Sequence, residues 1–234
     1  MRLDKYLAHA GIGTRKEVKQ WIRKKHVSVN GVICIKDDTH IDEISDEVVL
    51  DGERIQYDRV VYIMLHKPDG VVSATSDAQY QTVLECIDTI IPKDCFPVGR
   101  LDIDTEGLLL ICNDGKLAHA LLSPKKHVDK TYYVEIREPL EKGDIELLES
   151  GTITLDDEVL KPAKVEVIDE TSIYLTIQEG KYHQVKRMLQ AVHNEVLFLR
   201  RERMGSLVLD TALKPGEWRY LTEEEIQALK NNHS

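Results

Sequence analysis

A chain of 234 residues, 42% apolar and 31% charged, has the composition of a folded globular protein and can bury a core in one large domain or in one small and one medium domain. No apolar run approaches the roughly 18 residues a membrane helix needs, and the opening MRLDKYLAHAG is too charged for a signal peptide. The net charge of -10 taken alone disfavours a nucleic-acid partner, and Cys34, Cys86, Cys95 and Cys112, which share no CxxC spacing, fit free thiols of a reducing cytoplasm.

Residues 2–10 read as a short helix with Leu3, Tyr6, Leu7 and Ala10 on one face, ended by Gly11-Ile12-Gly13. Thr14, with Glu17 three residues on, opens a second helix with a capping-box pattern. Val18, Trp21 and Ile22 give that helix an apolar stripe, while Arg15, Lys16, Lys19, Arg23 and Lys24 cover much of the rest. Val27–Val32 alternates and turns at Asn30-Gly31, a strong hairpin signal. The charge is segregated here: residues 1–36 hold nine Lys or Arg against two acids, and residues 37–58 hold nine acids against one Arg. Phosphate contacts act over about a Debye length, roughly 8 Å at physiological salt, so a local patch counts for more than the global sum.

These features make residues 1–58 a compact module, and its pattern RLDKxL, glycine break, basic helix and VxVNG resembles the S4 RNA-binding domain. The resemblance implies a structured RNA partner whose backbone meets Arg2, Lys5, Arg15, Lys16, Lys19, Arg23 and Lys24.

From about Arg59 to residue 234 strands dominate, which marks a second domain. Strands are expected at Val60–Leu65, Val71–Ala74, Leu108–Ile111, Thr131–Ile136, Thr152–Leu155, Ala163–Ile168 and Ser172–Gln178. Helices are expected at Gln81–Asp88, Lys116–Leu122, Lys142–Ser150, Tyr182–Val192 and Thr222–Lys230. Strands in runs, without strict alternation with helices, predict an α+β domain on a mostly antiparallel mixed sheet.

The chemistry concentrates in GRLDIDTEGLLLICNDG, residues 99–115. Asp102, Asp104 and Glu106 crowd three carboxylates before a buried strand, so a cation, a metal or open water must relieve their repulsion. Asp104 and Glu106 are expected to face water or Arg100. In the helix after Gly180, Val185, Met188, Leu189 and Val192 form the apolar stripe. Lys186 borders that stripe and can lay its stem along the core, while Arg187 lies nearly opposite it and is expected to reach solvent or phosphate. Lys181, Lys186, Arg187, Arg200, Arg201 and Arg203 form a second basic concentration in the sequence.

Taken together, residues 59–234 resemble the pseudouridine synthases, in the branch that acts on ribosomal RNA and carries an S4 domain. LHKPDGVVSAT (65–75) resembles the family's LNKPxGVVSAT with His66 in place of Asn, and GRLDIDTEGLLLICNDG resembles GRLDxxTxGLLLxTNDG. Lys130-Thr131-Tyr132 falls on the family's KxY, EGKYHQVKRM (179–188) on its third motif, and Leu197–Gly205 on its pocket-closing stretch. The resemblance implies that Asp102 is the catalytic carboxylate, Tyr132 the active-site tyrosine and Lys186 the cation paired with Asp102. It further implies that Arg100, Leu101 and Leu199 line the substrate pocket, with Arg187 among the RNA-binding residues. Apolar neighbours penalise a charged Asp102, and an adjacent Lys186 offsets that penalty.

Isomerising uridine to pseudouridine breaks the N-glycosidic bond, turns the uracil and rejoins it through C5. No redox step or phosphate transfer is involved, so neither cofactor nor metal is expected. A carboxylate must act as nucleophile or partner a glycal-type intermediate, a choice the sequence leaves open. Tyr132 can offer a stacking face to a base taken out of its stack, although it shares a strand face with Val134 and Ile136 and also suits a core position. Tyr182-His183-Gln184 resembles small-subunit members of the branch, where large-subunit members more often have Asn-Arg. The expected substrate is therefore one uridine of 16S rRNA, reached in a partly assembled small-subunit particle by a cytoplasmic monomer, with 23S rRNA as the alternative. A non-catalytic S4-type ribosome-associated factor would tolerate change at Asp102. Asp102-Ile103-Asp104-Thr105 also matches the DxDxT of haloacid-dehalogenase-type phosphatases, but that motif follows a buried strand, and Pro97 and Gly99 interrupt one here.

Overall fold

The computed structural model describes residues 1–43, 45–55, 60–123 and 126–231. It forms two compact units, Met1–Val61 with Ile87–Cys95, and Tyr62–Cys86 with Phe96–Ser234. The expected boundary between residues 58 and 59 falls outside the described residues.

The first unit opens with helices α1 (Leu3–His9) and α2 (Arg15–Arg23). The capping box at α2 is formed: Thr14 N–H donates to Glu17 Oε2 at 2.7 Å, and Glu17 N–H donates to Thr14 Oγ1 at 3.3 Å. Strands β1 (Val27–Val29), β2 (Val32–Ile33), β3 (Val48–Leu50) and β4 (Glu53–Ile55) make an antiparallel sheet in the order β2-β1-β3-β4. Leu3, Tyr6, Leu7, Val18, Ile22, Val27, Ile41, Val48 and Ile55 close its core. Gly11 is where residues 87–95 return to this unit. Its φ is +79°, and a Cβ there would stand 2.5 Å from Ile91 O. Only glycine fits both demands.

The second unit is built on a nine-stranded mixed sheet. Its strands are β5 (Tyr62–Lys67), β6 (Phe96–Pro97), β7 (Glu106–Cys112), β8 (Lys130–Ile136), β11 (Lys164–Val167), β12 (Ser172–Ile177), β13 (Val196–Met204), β14 (Leu207–Val208) and β15 (Trp218–Tyr220). The main order is β11-β12-β8-β13-β7-β5-β15; β13 and β7 run parallel and the other neighbours antiparallel. A separate hairpin joins β9 (Thr154–Leu155) to β10 (Glu158–Val159). Helices α3 (Gly115–Leu122), α4 (Lys142–Glu149), α5 (Gln184–Ala191) and α6 (Glu223–Asn231) complete it. Leu108 and Leu110 of β7 pack with Leu117 and Leu121 of α3 and Leu229 of α6 in one apolar cluster. At the parallel junction Gly107 has φ +104°, and a Cβ would come within 2.4 Å of Arg201 O. The closeness of β13 to β7 depends on that missing side chain.

Two expected elements do not form. Residues 81–88 make turns in place of the expected helix, and Val71–Ala74 is reduced to a bridge between Val72 and Thr82. The cause is local: Val72 N–H donates to Gln81 O, Val83 N–H to Val72 O, and Thr82 N–H to Glu85 Oε2. Gln81 O, which a helix over 81–88 would offer to Glu85 N–H, is thereby taken by Val72 N–H, while Glu85 N–H turns to Thr82 O.

Candidate active site

The stretch after β5 acts as a clamp on the loop between β6 and β7. Lys67, fully buried, donates to Pro68 O, Ile103 O and Thr105 O at 2.9, 3.0 and 2.8 Å. Ser73 Oγ donates to Leu101 O at 2.9 Å and accepts from Leu101 N–H at 3.0 Å, while Gly70 N–H donates to Ile103 O. Both residues on either side of Asp102 are thereby held through their backbones. The sequence analysis named this stretch by resemblance but gave Lys67 and Ser73 no role.

Within that loop Asp102 borders a small cleft of about 60 Å³ lined by Arg100, Leu101, Asp102, Tyr132, Lys186 and Leu199, among others. Tyr132 is buried on β8 beside Leu175 of β12 and Arg201 of β13. Lys186 Nζ is 3.4 Å from Asp102 Oδ2 and 2.5 Å from Asp104 Oδ1. The three catalytic candidates and three pocket candidates therefore share one cavity.

The crowded carboxylates separate. Asp104 is largely exposed to water, as expected, and also bonds Lys186. Burial pushes its carboxyl up, yet the hydrogen bond and charge of Lys186 outweigh that and hold it below the usual 3.8. Glu106 begins β7 half-buried, with Oε2 4.0 Å from His66 Nε2. Arg187 departs from expectation, since its guanidinium grips Asp156 in the β9–β10 hairpin with bonds of 2.7 and 2.8 Å. The second basic concentration disperses in space. Lys181 pairs with Glu158, Arg200 with Glu202, and Arg201 is buried with Nε donating to Leu108 O. Strand alternation sends Arg200 and Arg201 to opposite faces, so proximity in sequence is not proximity in space.

His183 is a neighbour that the sequence analysis left without a catalytic position. It precedes α5 with φ +50°, a left-handed conformation costing a non-glycine residue roughly 1–3 kcal/mol. Its Nε2 lies 3.6 Å from Asp102 Oδ1. From this geometry Lys186→Met should lower kcat at least about tenfold with little change in KM, because it strips the charge beside Asp102. Arg187→Met should leave kcat within about twofold, since that guanidinium faces the hairpin. Steady-state kinetics on the two variants decides it, and a larger kcat loss at Arg187 refutes the assignment.

In the first unit Arg2 forks onto the buried Asp4 at 3.0 and 3.1 Å, Lys19 bridges Asp4 and Asp37, and Arg23 approaches Asp37. Among the described residues Lys5, Arg15, Lys16 and Lys24 are exposed and make no ion pair. An incoming phosphate meets these four without competition from a carboxylate.

A basic helical module thus precedes a domain whose mixed sheet carries a cleft lined by a carboxylate, a lysine and a tyrosine. The chain matches the RNA pseudouridylate synthase family over residues 61–191 and the S4 domain over residues 1–38. It is 49% identical over 237 residues to the uncharacterized RNA pseudouridine synthase YtzG of Bacillus subtilis, covering 98% of both chains. It is 43% identical over 236 residues to ribosomal small subunit pseudouridine synthase A of Vibrio cholerae, covering 98% of this chain and 99% of that one. A crystal structure of a pseudouridylate synthase superposes with a TM-score of 0.69 at 38% identity, covering 98% and 99% of the two chains. The chain belongs to the RNA pseudouridine synthases: an isomerase with an N-terminal S4 domain followed by an α+β, mostly antiparallel synthase domain.

Proposed function

We propose that this enzyme converts a single uridine of 16S rRNA to pseudouridine, with Asp102 as the catalytic carboxylate. The observation that carries the reading is the convergence of Asp102, Lys186 and Tyr132 on one cleft. Asp102 meets the glycosidic carbon or partners the intermediate, Lys186 pairs with its carboxylate and aims it, and Tyr132 offers a face to the detached uracil as it turns. Arg100, Leu101 and Leu199 shape the pocket around the base. Lys5, Arg15, Lys16 and Lys24, with Arg2, Lys19, Arg23 and Arg187, bear on the RNA backbone. The small-subunit names of relatives such as the Vibrio cholerae protein support the substrate, and a free uridine loop in a partly assembled particle gives a cytoplasmic monomer access to it.

The test is to delete the gene and map pseudouridine across both ribosomal RNAs by carbodiimide-dependent primer-extension stops. One 16S stop should vanish and return with the wild-type gene but not with an Asp102→Asn copy. Loss of a 23S stop with the 16S pattern intact overturns the substrate while leaving the reaction standing.

A further inference from the structure

Tyr182 is 73% exposed, the highest exposure among the large hydrophobic and aromatic side chains of the described residues. Its ring stacks on the His183 imidazole, with centroids 3.8 Å apart and planes inclined by 18°. His183 lines the cleft and reaches Asp102, whereas Tyr182 does not line it. The pair therefore runs from the carboxylate across the rim of the cleft to solvent, and one flat aromatic face ends in water.

We propose that the Tyr182–His183 pair is the stacking platform for the nucleotide next to the target uridine. The proposal rests on the RNA-substrate reading above and adds a substrate-positioning residue to it. A uridine drawn into the cleft leaves its neighbours without a stacking partner on that side, which opposes extrusion. An aromatic face at the rim replaces the lost partner and tolerates any base, because every base has a π-face. Residue chemistry fits this division. The inner ring is an imidazole that can hydrogen-bond toward Asp102, and the outer one is a phenol with a larger face. His183 sits at the N-cap of α5 with a left-handed backbone, and its side chain makes no capping hydrogen bond and faces the cleft. The charged groups around the platform include Lys181 on Glu158, Lys186 on Asp102 and Asp104, Arg187 with a bond to Tyr182 O, and Arg100 in the cleft.

The experiment compares wild type, Tyr182→Phe, Tyr182→Ala and His183→Gly on whichever ribosomal RNA the wild-type enzyme modifies, so a wrong choice of subunit does not touch it. Tyr182→Ala should raise KM about tenfold with kcat within about twofold, and Tyr182→Phe should match wild type. His183→Gly suits the positive φ and keeps the fold, so a KM rise there reports the missing ring. A fragment of that RNA carrying 2-aminopurine on either side of the modified uridine should lose fluorescence on binding wild type at one of the two positions, and not on binding Tyr182→Ala. An unchanged KM for Tyr182→Ala, or equal quenching by both proteins, overturns the platform.

Discussion

Asp102→Asn is expected to abolish turnover, by at least about a thousandfold, while the protein keeps its fold and its RNA affinity. The substitution preserves shape and removes only the charge. Lys186 is not left unpaired, because Asp104 still holds its ammonium at 2.5 Å. The loop keeps its backbone clamp from Ser73 and Lys67, neither of which touches the Asp102 side chain. Structural loss should therefore be small, and circular dichroism and RNA-binding titration should match wild type. Asp104→Asn removes an exposed carboxylate at one remove from the cleft and should cost no more than about tenfold. The Asp104–Lys186 pair contributes above the ordinary carboxylate value of 3.8 and is lost as pH falls through the lower folded value, so the kinetics are compared at neutral pH, where that pair is intact. Measurable turnover by Asp102→Asn, or equal losses at both positions, would remove Asp102 from its role.

Much of this arrangement is legible in the sequence wherever one local signal dominates. The Thr14–Glu17 box starts α2, and the apolar run at Leu108–Ile111 lies within β7 because a fully buried strand has no polar face to mask it. The border position of Lys186 follows from the 100° step of a helix, and its ammonium does reach across to Asp102. Legibility fails where long-range pairing decides. Residues 81–88 have helical spacing, but pairing with Val72 takes their backbone groups. The β3–β4 hairpin in the acidic stretch carried a readable Asp51-Gly52 turn that its charge obscured. Arg201 stands in a basic run, and only the strand register turns it inward. Nothing local marks Lys67, because two of the three carbonyls that converge on it lie 36 and 38 residues away.

Those carbonyls make Lys67→Met the most damaging change outside the cleft. Methionine fills the same unbranched volume but donates nothing, so Pro68 O and Thr105 O lose their lysine partner; Ile103 O retains Gly70 N–H. Unsatisfied buried carbonyls cost about 1–3 kcal/mol each, so a total of about 2–6 kcal/mol is expected in urea unfolding. Turnover should fall about a hundredfold, because a shift of the order of 1 Å in the loop carrying Asp102 misaligns the reacting groups. The pH dependence identifies the cause. Burial lowers the Lys67 ammonium from 10.5 to about 8, so between those values the unfolded chain binds a proton that the folded protein has released. Stability of the wild type relative to Lys67→Met should therefore rise as pH goes from about 8 to 10.5. Taking the difference cancels buried Cys112, raised to about 11, and buried Lys130, lowered to about 8, which both proteins share. A methionine variant with wild-type stability and turnover, or a difference that stays flat across that pH range, would mean that Lys67 does not hold the loop.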